Sequence, residues 1–225
     1  MTIAVVKPNL ISPLYESGEV ILCRHKDNPN WLLSRWLCQQ YHYFRVGGFD
    51  PNTGTAWACR KKYGVMFHID YRTGERLYGH SFGYVSRFQE GLAVAREIYS
   101  DSHRYHIKPN GEPAYRQRYS SVGLFFSGLA DAQDKSGWCH IRSNGSPAYK
   151  KRFESVGHFC FDLAQAKDQS GCYHIKPNGE SAYLKRFLFV GPFFNRDYAE
   201  AKWLEKKDGI TVRITGKIDR NGQIL

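Results

Sequence analysis

The sequence predicts an all-β fold in which three-stranded antiparallel units of about 34 residues follow one another and stack into an array. Two observations predict it. Residues 105–126 recur twice further along, which places His106, His140 and His174 at a constant spacing of 34 residues. Each of these copies also contains an Asn-Gly pair, at residues 110–111, 144–145 and 178–179. Asn-Gly is typical of tight β-hairpin turns, so the helical repeats of similar length are excluded.

The region before the repeats, residues 1–43, carries the signals of one helix. The polar stretch 28–30 includes a proline, and residues 31–41 then place apolar side chains at helical spacing. We expect this helix to form a short cap that covers the open face of the first repeat. A helix that binds a partner or a membrane surface through Trp31 and Trp36 is the alternative.

Residues 44–225 are predicted to hold about five copies of the unit, which is enough for a stable stack. The first copy is degenerate, because only residues such as Val46-Gly47 and Phe49 match the clean copies. The last copy is partial: residues 218–222 resemble residues 107–111. The spacing leaves open whether the array is an open solenoid or closes like a propeller.

Each clean copy is predicted to contain three strands in a fixed order. In the second clean copy, residues 128–133 form a strand and a tight turn leads into a second strand at residues 138–141. A type I′ Asn-Gly turn, with positive φ at both residues, then leads into the third strand. Residues 105–108 alternate, so we expect Tyr105 and Ile107 on a face that packs against the next copy and His106 and Lys108 on the other.

The segment Arg196 to Asp208 departs from the unit and is predicted to form either a second helix or an extended strand with a charged loop. Its periodicity favours neither structure.

The unit resembles the bacterial WG repeats, in which a strand of the form Trp-Gly-Tyr-Ile-Asp precedes a glycine turn, a second strand and Gly-Pro-Phe-x-x-Gly-Leu-Ala-x-Val. The matching residues are Trp138–Ile141, Asn144-Gly145, Phe153, Val156–Phe159 and Leu163–Ala166. The resemblance covers about four-fifths of the chain and marks a divergent branch, because Tyr105, Cys139 or Tyr173 replaces the glycine of the Trp-Gly pair. It implies a β-repeat fold and a bacterial source without a common chemistry.

Composition narrows the class of protein. The chain carries 32 Lys and Arg against 21 Asp and Glu, a formal net charge of +11 that favours encounter with polyanions. The sequence has no apolar run long enough to span a membrane and no secretory signal. We therefore predict a cytoplasmic protein, or one exported without a cleavable signal peptide. The six cysteines form no Cys-x-x-Cys pair and are expected to be reduced core thiols.

A column of histidines is the first candidate binding feature. Each member is followed two residues later by a charged side chain, which a strand places on the same face. Stacked in register, these residues would form a stripe that binds an anion, gains charge below about pH 6.5, or holds a metal. We predict no metal site and no cofactor, because equivalent positions in adjacent repeats lie too far apart to share one ion. A structural interpretation is that each imidazole packs in the core and hydrogen-bonds to a neighbouring turn. The column comprises His68, His106, His140 and His174 with Asp70, Lys108, Arg142 and Lys176.

Arginines form a second column at Arg118, Arg152 and Arg186, each directly before an aromatic residue. Such a guanidinium would clamp a phosphate or carboxylate in a binding role. In a structural role it would cap strand-end carbonyls and stack on a ring.

Catalytic signatures are absent from the sequence, which contains no Gly-x-Ser-x-Gly, His-Glu-x-x-His or Walker motif. Cys160 lies close to His158 but has no evident orienting carboxylate. Residues 50–55 and 97–103 are the insertions that would hold an unrecognised site, and they read more simply as loops. We therefore predict no catalytic residues and no enzymatic activity.

These observations predict a non-enzymatic repeat protein, a scaffold that presents an elongated aromatic and basic surface to a macromolecular partner, in the first place a protein. Polyanion binding, for instance to single-stranded RNA or DNA, is the alternative because cations and aromatics interleave at residues 115–119 and 149–153. An enzyme with an unrecognised site is the third possibility. The residues predicted to bind are His68, His106, Lys108, His140, Arg142, His174, Lys176, Arg118, Arg152 and Arg186.

Overall fold

The computed structural model describes residues 31–99 and 103–225 and divides the chain into two compact units. The first unit runs to Pro113 and the second spans Ala114–Leu225. The helix start predicted at residues 28–30, the thiol of Cys23 and the end of the loop predicted at 97–103 lie outside the described residues. No helix in the described part of the chain is long and apolar enough to cross a membrane.

The first unit contains one helix followed by two three-stranded antiparallel sheets. The sheets have the orders β1-β2-β3 and β4-β5-β6. The elements are α1 (Trp31–Tyr41), β1 (Arg45–Asp50), β2 (Thr55–Cys59), β3 (Met66–Asp70), β4 (Tyr84–Val85), β5 (Ala93–Arg96) and β6 (Tyr105–Ile107).

Helix α1 packs on the first sheet, as the cap prediction requires. Leu37 is fully buried in a cluster with Val46 and Phe67, and Leu33 and Trp36 pack against that cluster. The Ser34 hydroxyl donates a hydrogen bond of 2.8 Å to the Val46 carbonyl. The predicted helical cap is therefore confirmed.

The second unit contains three sheets of the same kind, with the orders β7-β8-β9, β10-β11-β12 and β13-β14-β15. The predicted all-β fold of three-stranded antiparallel repeats is thus confirmed. The strands are β7 (Ser121–Val122), β8 (Ala130–Asp134), β9 (Gly137–Ile141), β10 (Ser155–Val156), β11 (Ala164–Asp168), β12 (Gly171–Ile175), β13 (Phe189–Phe193), β14 (Ala199–Lys207) and β15 (Ile210–Ile218).

The third strand of each sheet is not the one predicted. The short Ser-Val segment pairs with the hairpin instead, as β7 does with β8. The segment after the Asn-Gly turn returns along β9 only as an interrupted edge, with single bridges at Ile141↔Pro147 and Trp138↔Phe153. Between these bridges the chain leaves the sheet, and the Tyr149 side chain turns inward to His140.

The Asn-Gly turns also differ from the prediction, because only the glycine takes positive φ. Gly145 has φ 78°, whereas Asn144 is not among the positive-φ residues. The Gly145 N–H donates to the Arg142 carbonyl at 2.8 Å and the Arg142 N–H donates to the Ser146 carbonyl at 2.9 Å. This pattern is typical of a type I turn followed by a glycine bulge. The Asn144 side chain accepts from the Ser146 N–H, which fixes the turn.

The expected alternation of buried and exposed faces is wrong for the strands that carry the histidines. Tyr173, His174 and Ile175 are all fully buried in β12. Each face of this strand meets another repeat: Tyr173 packs against Phe153 at 6.4 Å between ring centroids, and His174 packs against Phe193 at 4.7 Å. Stacking on both sides therefore removes the solvent face.

Within residues 196–208 the chain forms the extended strand β14 (Ala199–Lys207) and no helix, which decides between the two predicted alternatives. Strands β14 and β15 pair over nine residues each, from Ala199↔Ile218 to Lys207↔Ile210. Asp208 and Gly209 join them with φ values of 51° and 80°. Positive φ at both residues is typical of a type I′ turn, so this turn type occurs at Asp-Gly rather than at Asn-Gly.

Candidate functional site

The histidines of the column lie in the core. His68, His106, His140 and His174 are all fully buried. The Nδ1 atoms of His68, His140 and His174 lie 2.5–2.6 Å from the hydroxyls of Tyr78, Tyr149 and Tyr183. Their Nε2 atoms lie 2.7–2.9 Å from the backbone carbonyls of Ser86, Gly157 and Gly191.

Burial favours the neutral form of the imidazoles of His68, His140 and His174. Desolvation lowers the pKa of His140 from 6.5 to about 4, against the opposing effect of its hydrogen bond to Gly157. The pKa values of His68 and His174 are lowered to about 4 by the same main cause. A surface stripe that gains charge near pH 6.5 would need solvent access that these rings lack. The arrangement is that of the structural interpretation, in which each imidazole packs in the core and hydrogen-bonds to neighbouring groups.

The charged residues after His106, His140 and His174 lie beyond the strands that carry these histidines. The strands end at Ile107, Ile141 and Ile175, so Lys108, Arg142 and Lys176 lie in the following turns and are exposed. Arg142 donates to the carbonyls of Pro147 and Ala148. Asp70, at the end of β3, holds its own turn by accepting from the Arg72 N–H at 2.7 Å. The same-face expectation fails because it applies only while a strand continues.

The arginine column caps backbone carbonyls. One guanidinium nitrogen of Arg186 lies 2.9–3.2 Å from the carbonyl oxygens of Tyr183, Leu184 and Lys185, so the side chain closes the loop before it. Arg118 and Arg152 make the same three contacts with their own preceding residues. The Arg186 guanidinium also lies 3.6 Å from the Tyr173 ring centroid. These contacts are those of the structural role.

Arg152 additionally forms a two-pronged contact with Asp134. Its Nε and one terminal nitrogen lie 3.0 and 2.8 Å from the same carboxylate oxygen. The hydrogen bonds from Arg152 lower the pKa of Asp134. The pair lines a shallow open depression of about 740 Å³ between the turns at 134–137 and 168–170. Asp168, on its other side, is paired with Lys151 at 3.0 Å. The charged side chains at this depression are thus already paired, Arg152 with Asp134 and Asp168 with Lys151.

Cys160 and His158 do not form a reactive pair. Burial raises the pKa of the Cys160 thiol, which disfavours the nucleophilic thiolate. The His158 ring packs against Phe126 with 4.6 Å between ring centroids. In the described part of the chain, no group of three or more His, Cys, Asp or Glu side chains is placed to hold a metal ion.

The last repeat exposes apolar side chains where the two preceding repeats have polar ones. Leu184, Leu188 and Phe189 are 94%, 47% and 45% exposed. The corresponding residues of the preceding repeat are Lys150, Glu154 and Ser155, and those of the repeat before it are Arg116, Ser120 and Ser121. Sequence reasoning missed this difference because it followed what the copies share; aligning their differences would have found it.

The β14–β15 hairpin extends this surface. Strand β13 pairs with β14 only as far as Lys202, so the remainder of the hairpin, residues 203–214, is a two-stranded ribbon. One face of the hairpin carries Lys202, Lys206, Arg213 and Lys217, all exposed. The other face carries Trp203, Val212 and Ile214, which are half-buried, and Ile210, which is 67% exposed. We call residues 184–189 together with β14 and β15 the terminal surface.

The repeat aromatics do not contribute to this surface. The rings of five repeat aromatics are buried: Tyr115, Tyr119, Phe153, Tyr183 and Phe187. These rings are therefore not available to stack with a ligand in the segments where the sequence interleaves cations and aromatics. The terminal surface instead carries the exposed ring of Phe189, with the Lys202 ammonium 5.6 Å from its centroid, and the half-buried Trp203 on the other face of the hairpin.

Comparison with known proteins gives little further information. No family model matches the sequence, and no curated protein matches it. Among solved structures, a KlHsv2 chain in which loop 6CD is replaced by a Gly-Ser linker is similar with a TM-score of 0.43 and 10% identity, over 78% of this chain and 72% of that one. A structure of Kluyveromyces lactis Hsv2p is similar with a TM-score of 0.40 and 12% identity, over 76% of this chain and 71% of that one.

Proposed function

We propose that this chain is a non-enzymatic repeat protein, a divergent relative of the bacterial WG repeats, that binds a partner protein through its terminal surface. The observation that carries the proposal is the exposure of Leu184, Leu188 and Phe189 at positions that are polar in the two preceding repeats. Duplication explains features that the copies share, but it does not explain three apolar replacements that are absent from the two preceding copies; only the position of Phe189 has an exposed aromatic counterpart further back, Tyr84 in β4.

Exposed apolar side chains that lie close together are typical of interaction sites. A scattered exposed leucine requires no explanation, whereas a contiguous patch bordered by polar residues marks a contact surface. Leu188 and Phe189 are consecutive, and Phe189 pairs with Lys202 across β13 and β14. Phe189 therefore lies beside the basic face of the hairpin, an arrangement that suits a partner with an apolar anchor and nearby acidic residues.

The proposal is tested by returning the three residues to their counterparts in the preceding repeat. The triple variant Leu184→Lys, Leu188→Glu, Phe189→Ser removes the patch and uses side chains that the repeat already tolerates. The matched control is Phe161→Ser, because Phe161 is also exposed, at 42%, and lies in the same unit. Immobilised wild type, triple variant and control are each incubated with a bacterial lysate, and bound proteins are quantified by mass spectrometry.

We expect one protein to be retained by the wild type and the control and to lose at least about tenfold in retention with the triple variant. That protein is then purified and titrated against the three chains. Equal binding to the wild type and the triple variant would exclude the terminal surface as the site.

Binding to a polyanion is the alternative, favoured by the net charge of +11 and the basic face of the hairpin. It is measured by the fluorescence anisotropy of a labelled oligouridine at several salt concentrations. A logarithmic affinity that falls steeply with logarithmic salt concentration, by about 0.7 for each phosphate contacted, would favour this alternative.

A further inference from the structure

We propose that the outer edge of β15 binds an extended acidic segment of a partner protein, which adds to the sheet as a further strand. The inference rests on the proposed function and names the chemistry of its partner. The occupant is a peptide in which acidic side chains alternate with apolar ones over about five to seven residues.

The backbone of β15 presents unpaired groups along this edge. Strand β15 is the last strand of the order β13-β14-β15. The Leu225 N–H donates to the Lys217 carbonyl at 3.0 Å, so the backbone of Lys217 faces away from β14. Alternate residues of a strand direct their backbone groups to the same edge, which places those of Thr211, Arg213 and Thr215 outward as well. Among residues 31–99 and 103–225, no strand pairs with the outer edge at these three positions.

The other sheets of this unit show how such an edge is covered. In β9 the returning chain bridges both ends, at Ile141↔Pro147 and Trp138↔Phe153. Strand β12 has the equivalent bridges at Ile175↔Ser181 and Cys172↔Phe187.

In β15 the first bridge has its counterpart at Ile218↔Ile224, and the described residues contain no second one. By the same spacing, Thr215 occupies the position that Trp138 and Cys172 occupy in those strands. A partner strand would therefore cover the stretch of edge that the chain itself covers in the earlier repeats.

The positive charge on one face of the hairpin indicates an acidic partner. Antiparallel pairing places Lys202 opposite Thr215, Lys206 opposite Thr211 and Leu204 opposite Arg213. One face of the hairpin therefore carries four cations, Lys202, Lys206, Arg213 and Lys217. No ion pair in the described part of the chain neutralises any of them, and Glu200 at the base is the one acidic residue of β14 on this face. Acidic side chains at every second residue of an added strand would lie beside Arg213 and Lys217.

The opposite face of the hairpin favours apolar side chains at the intervening positions. Val212 and Ile214 are half-buried there, and Trp203 lies across Gly216 and packs against Phe187 at 6.3 Å between ring centroids. An added strand extends this apolar face at the side of Val212 and Ile214. The alternation of the partner sequence thus follows from the two faces of β15.

A second copy of this chain fits the edge poorly. Pairing of two β15 strands would bring the Arg213 and Lys217 side chains of one copy beside those of the other, and like charges placed across strands are destabilising. A nucleic acid satisfies the cations but does not pair with the backbone groups in a strand ladder.

The test uses the full chain and a synthetic fluorescein-labelled peptide, Thr-Glu-Val-Glu-Ile-Glu-Val-Glu-Thr, with fluorescence anisotropy as the readout. Three control peptides are used. One has the same composition with the glutamates grouped at one end, and the other two have the same sequence with N-methyl groups either on the glutamates or on the residues between them. We expect the alternating peptide to bind at least about tenfold more tightly than the grouped peptide and than one of the two N-methylated peptides, because only one set of alternate N–H groups faces β15. N-methylation removes strand hydrogen bonds without altering the protein.

Two protein variants locate the site. Thr215→Pro removes an outward N–H that β14 does not use, whereas Thr215→Ala keeps it. We expect binding to fall at least about tenfold in Thr215→Pro and to change less than about twofold in Thr215→Ala. Arg213→Glu is expected to weaken binding by at least about tenfold as well. Urea unfolding verifies that each variant is folded, and the N-methyl peptides test the edge if Thr215→Pro is not.

Several results would overturn the inference: equal binding of the alternating and grouped peptides, no effect of N-methylation, or a concentration-dependent dimer of the chain that the peptide does not disrupt. Binding of oligouridine in competition with the peptide, with no effect of N-methylation, would assign the basic face to polyanions instead. These outcomes leave the proposed function testable by itself, because retention of a lysate protein through Leu184, Leu188 and Phe189 does not require strand addition.

Discussion

The Nδ1 atom of His140 lies 2.5 Å from the hydroxyl oxygen of Tyr149. The backbone N–H of His140 donates to the same oxygen at 3.2 Å, so the hydroxyl proton is directed at Nδ1 and the imidazole carries its proton on Nε2, which donates to the Gly157 carbonyl. His174 and Tyr183 repeat this arrangement. Every polar atom of the pair is thereby used inside the protein, and a proton added to the ring would have no acceptor.

Acid should therefore unfold the protein well above the pH at which its carboxylates titrate. The unfolded histidine binds a proton near pH 6.5, whereas the folded His140 does so near pH 4, so stability is lost as pH falls through this window. Each such histidine contributes a loss of about 3 kcal/mol between pH 7 and pH 4. Urea unfolding at half-unit pH intervals measures the effect.

The variant His140→Gln should flatten this pH dependence. We expect it to reduce the loss of stability between pH 7 and pH 4 by about 3 kcal/mol while lowering stability at pH 7 by about 1–3 kcal/mol. The control is His42→Asn, because His42 is exposed and asparagine tolerates its φ of 56°. An unchanged pH slope in His140→Gln would contradict the buried neutral histidine.

Removal of one tyrosine hydroxyl should destabilise the fold although the ring remains. Tyr149→Phe leaves the Nδ1 atom and the backbone N–H of His140 without their shared partner, and we expect a loss of about 1–3 kcal/mol in the free energy of unfolding. Tyr63→Phe is the matched control, because Tyr63 is 96% exposed. Equal stabilities of the two variants would show that this hydrogen-bond network is not needed.

The turn glycines should be intolerant of a side chain for two separable reasons. Gly145 has φ 78°, and a Cβ there would lie 2.5 Å from the Tyr115 ring of the preceding repeat. Gly209 has φ 80° with no atom near such a Cβ. We expect Gly209→Ala to cost about 1 kcal/mol from backbone strain alone and Gly145→Ala about 3 kcal/mol, because the ring must also move. Equal losses in urea unfolding would show that the ring contact between repeats adds nothing.

Arg152 should resist replacement by lysine. The guanidinium contacts three carbonyls and Asp134 together, and a lysine ammonium does not reproduce that planar arrangement. We expect Arg152→Lys to lower stability by about 1–2 kcal/mol. The control Arg116→Lys, at an exposed position in the same unit, should change stability by less than about 0.5 kcal/mol. If Arg152→Lys left the stability unchanged, the carbonyl and Asp134 contacts of Arg152 would not contribute to the stability of the fold.

The candidate site was only partly predictable. The columns of histidine and arginine are evident in the repeat, but repetition marks inherited packing as readily as function, and the structure places His68, His140 and His174 in the core. The terminal surface is marked by differences between the copies rather than by repetition, because Leu184, Leu188 and Phe189 replace polar residues of the two preceding repeats. Their importance depends on exposure, which the periodicity of a single strand does not reveal.

The sequence by itself determined the repeat, the hairpin with its glycine turn and the capping helix, because these depend on φ preferences and on side-chain spacing within a few residues. Tertiary packing decided the rest. It buried both faces of β12 between neighbouring repeats and paired the Ser-Val segments as third strands. It also turned the Tyr149 side chain inward, where its hydroxyl hydrogen-bonds to His140. Such choices depend on contacts between residues distant along the chain, where burial and hydrogen bonding outweigh the preference of any single strand.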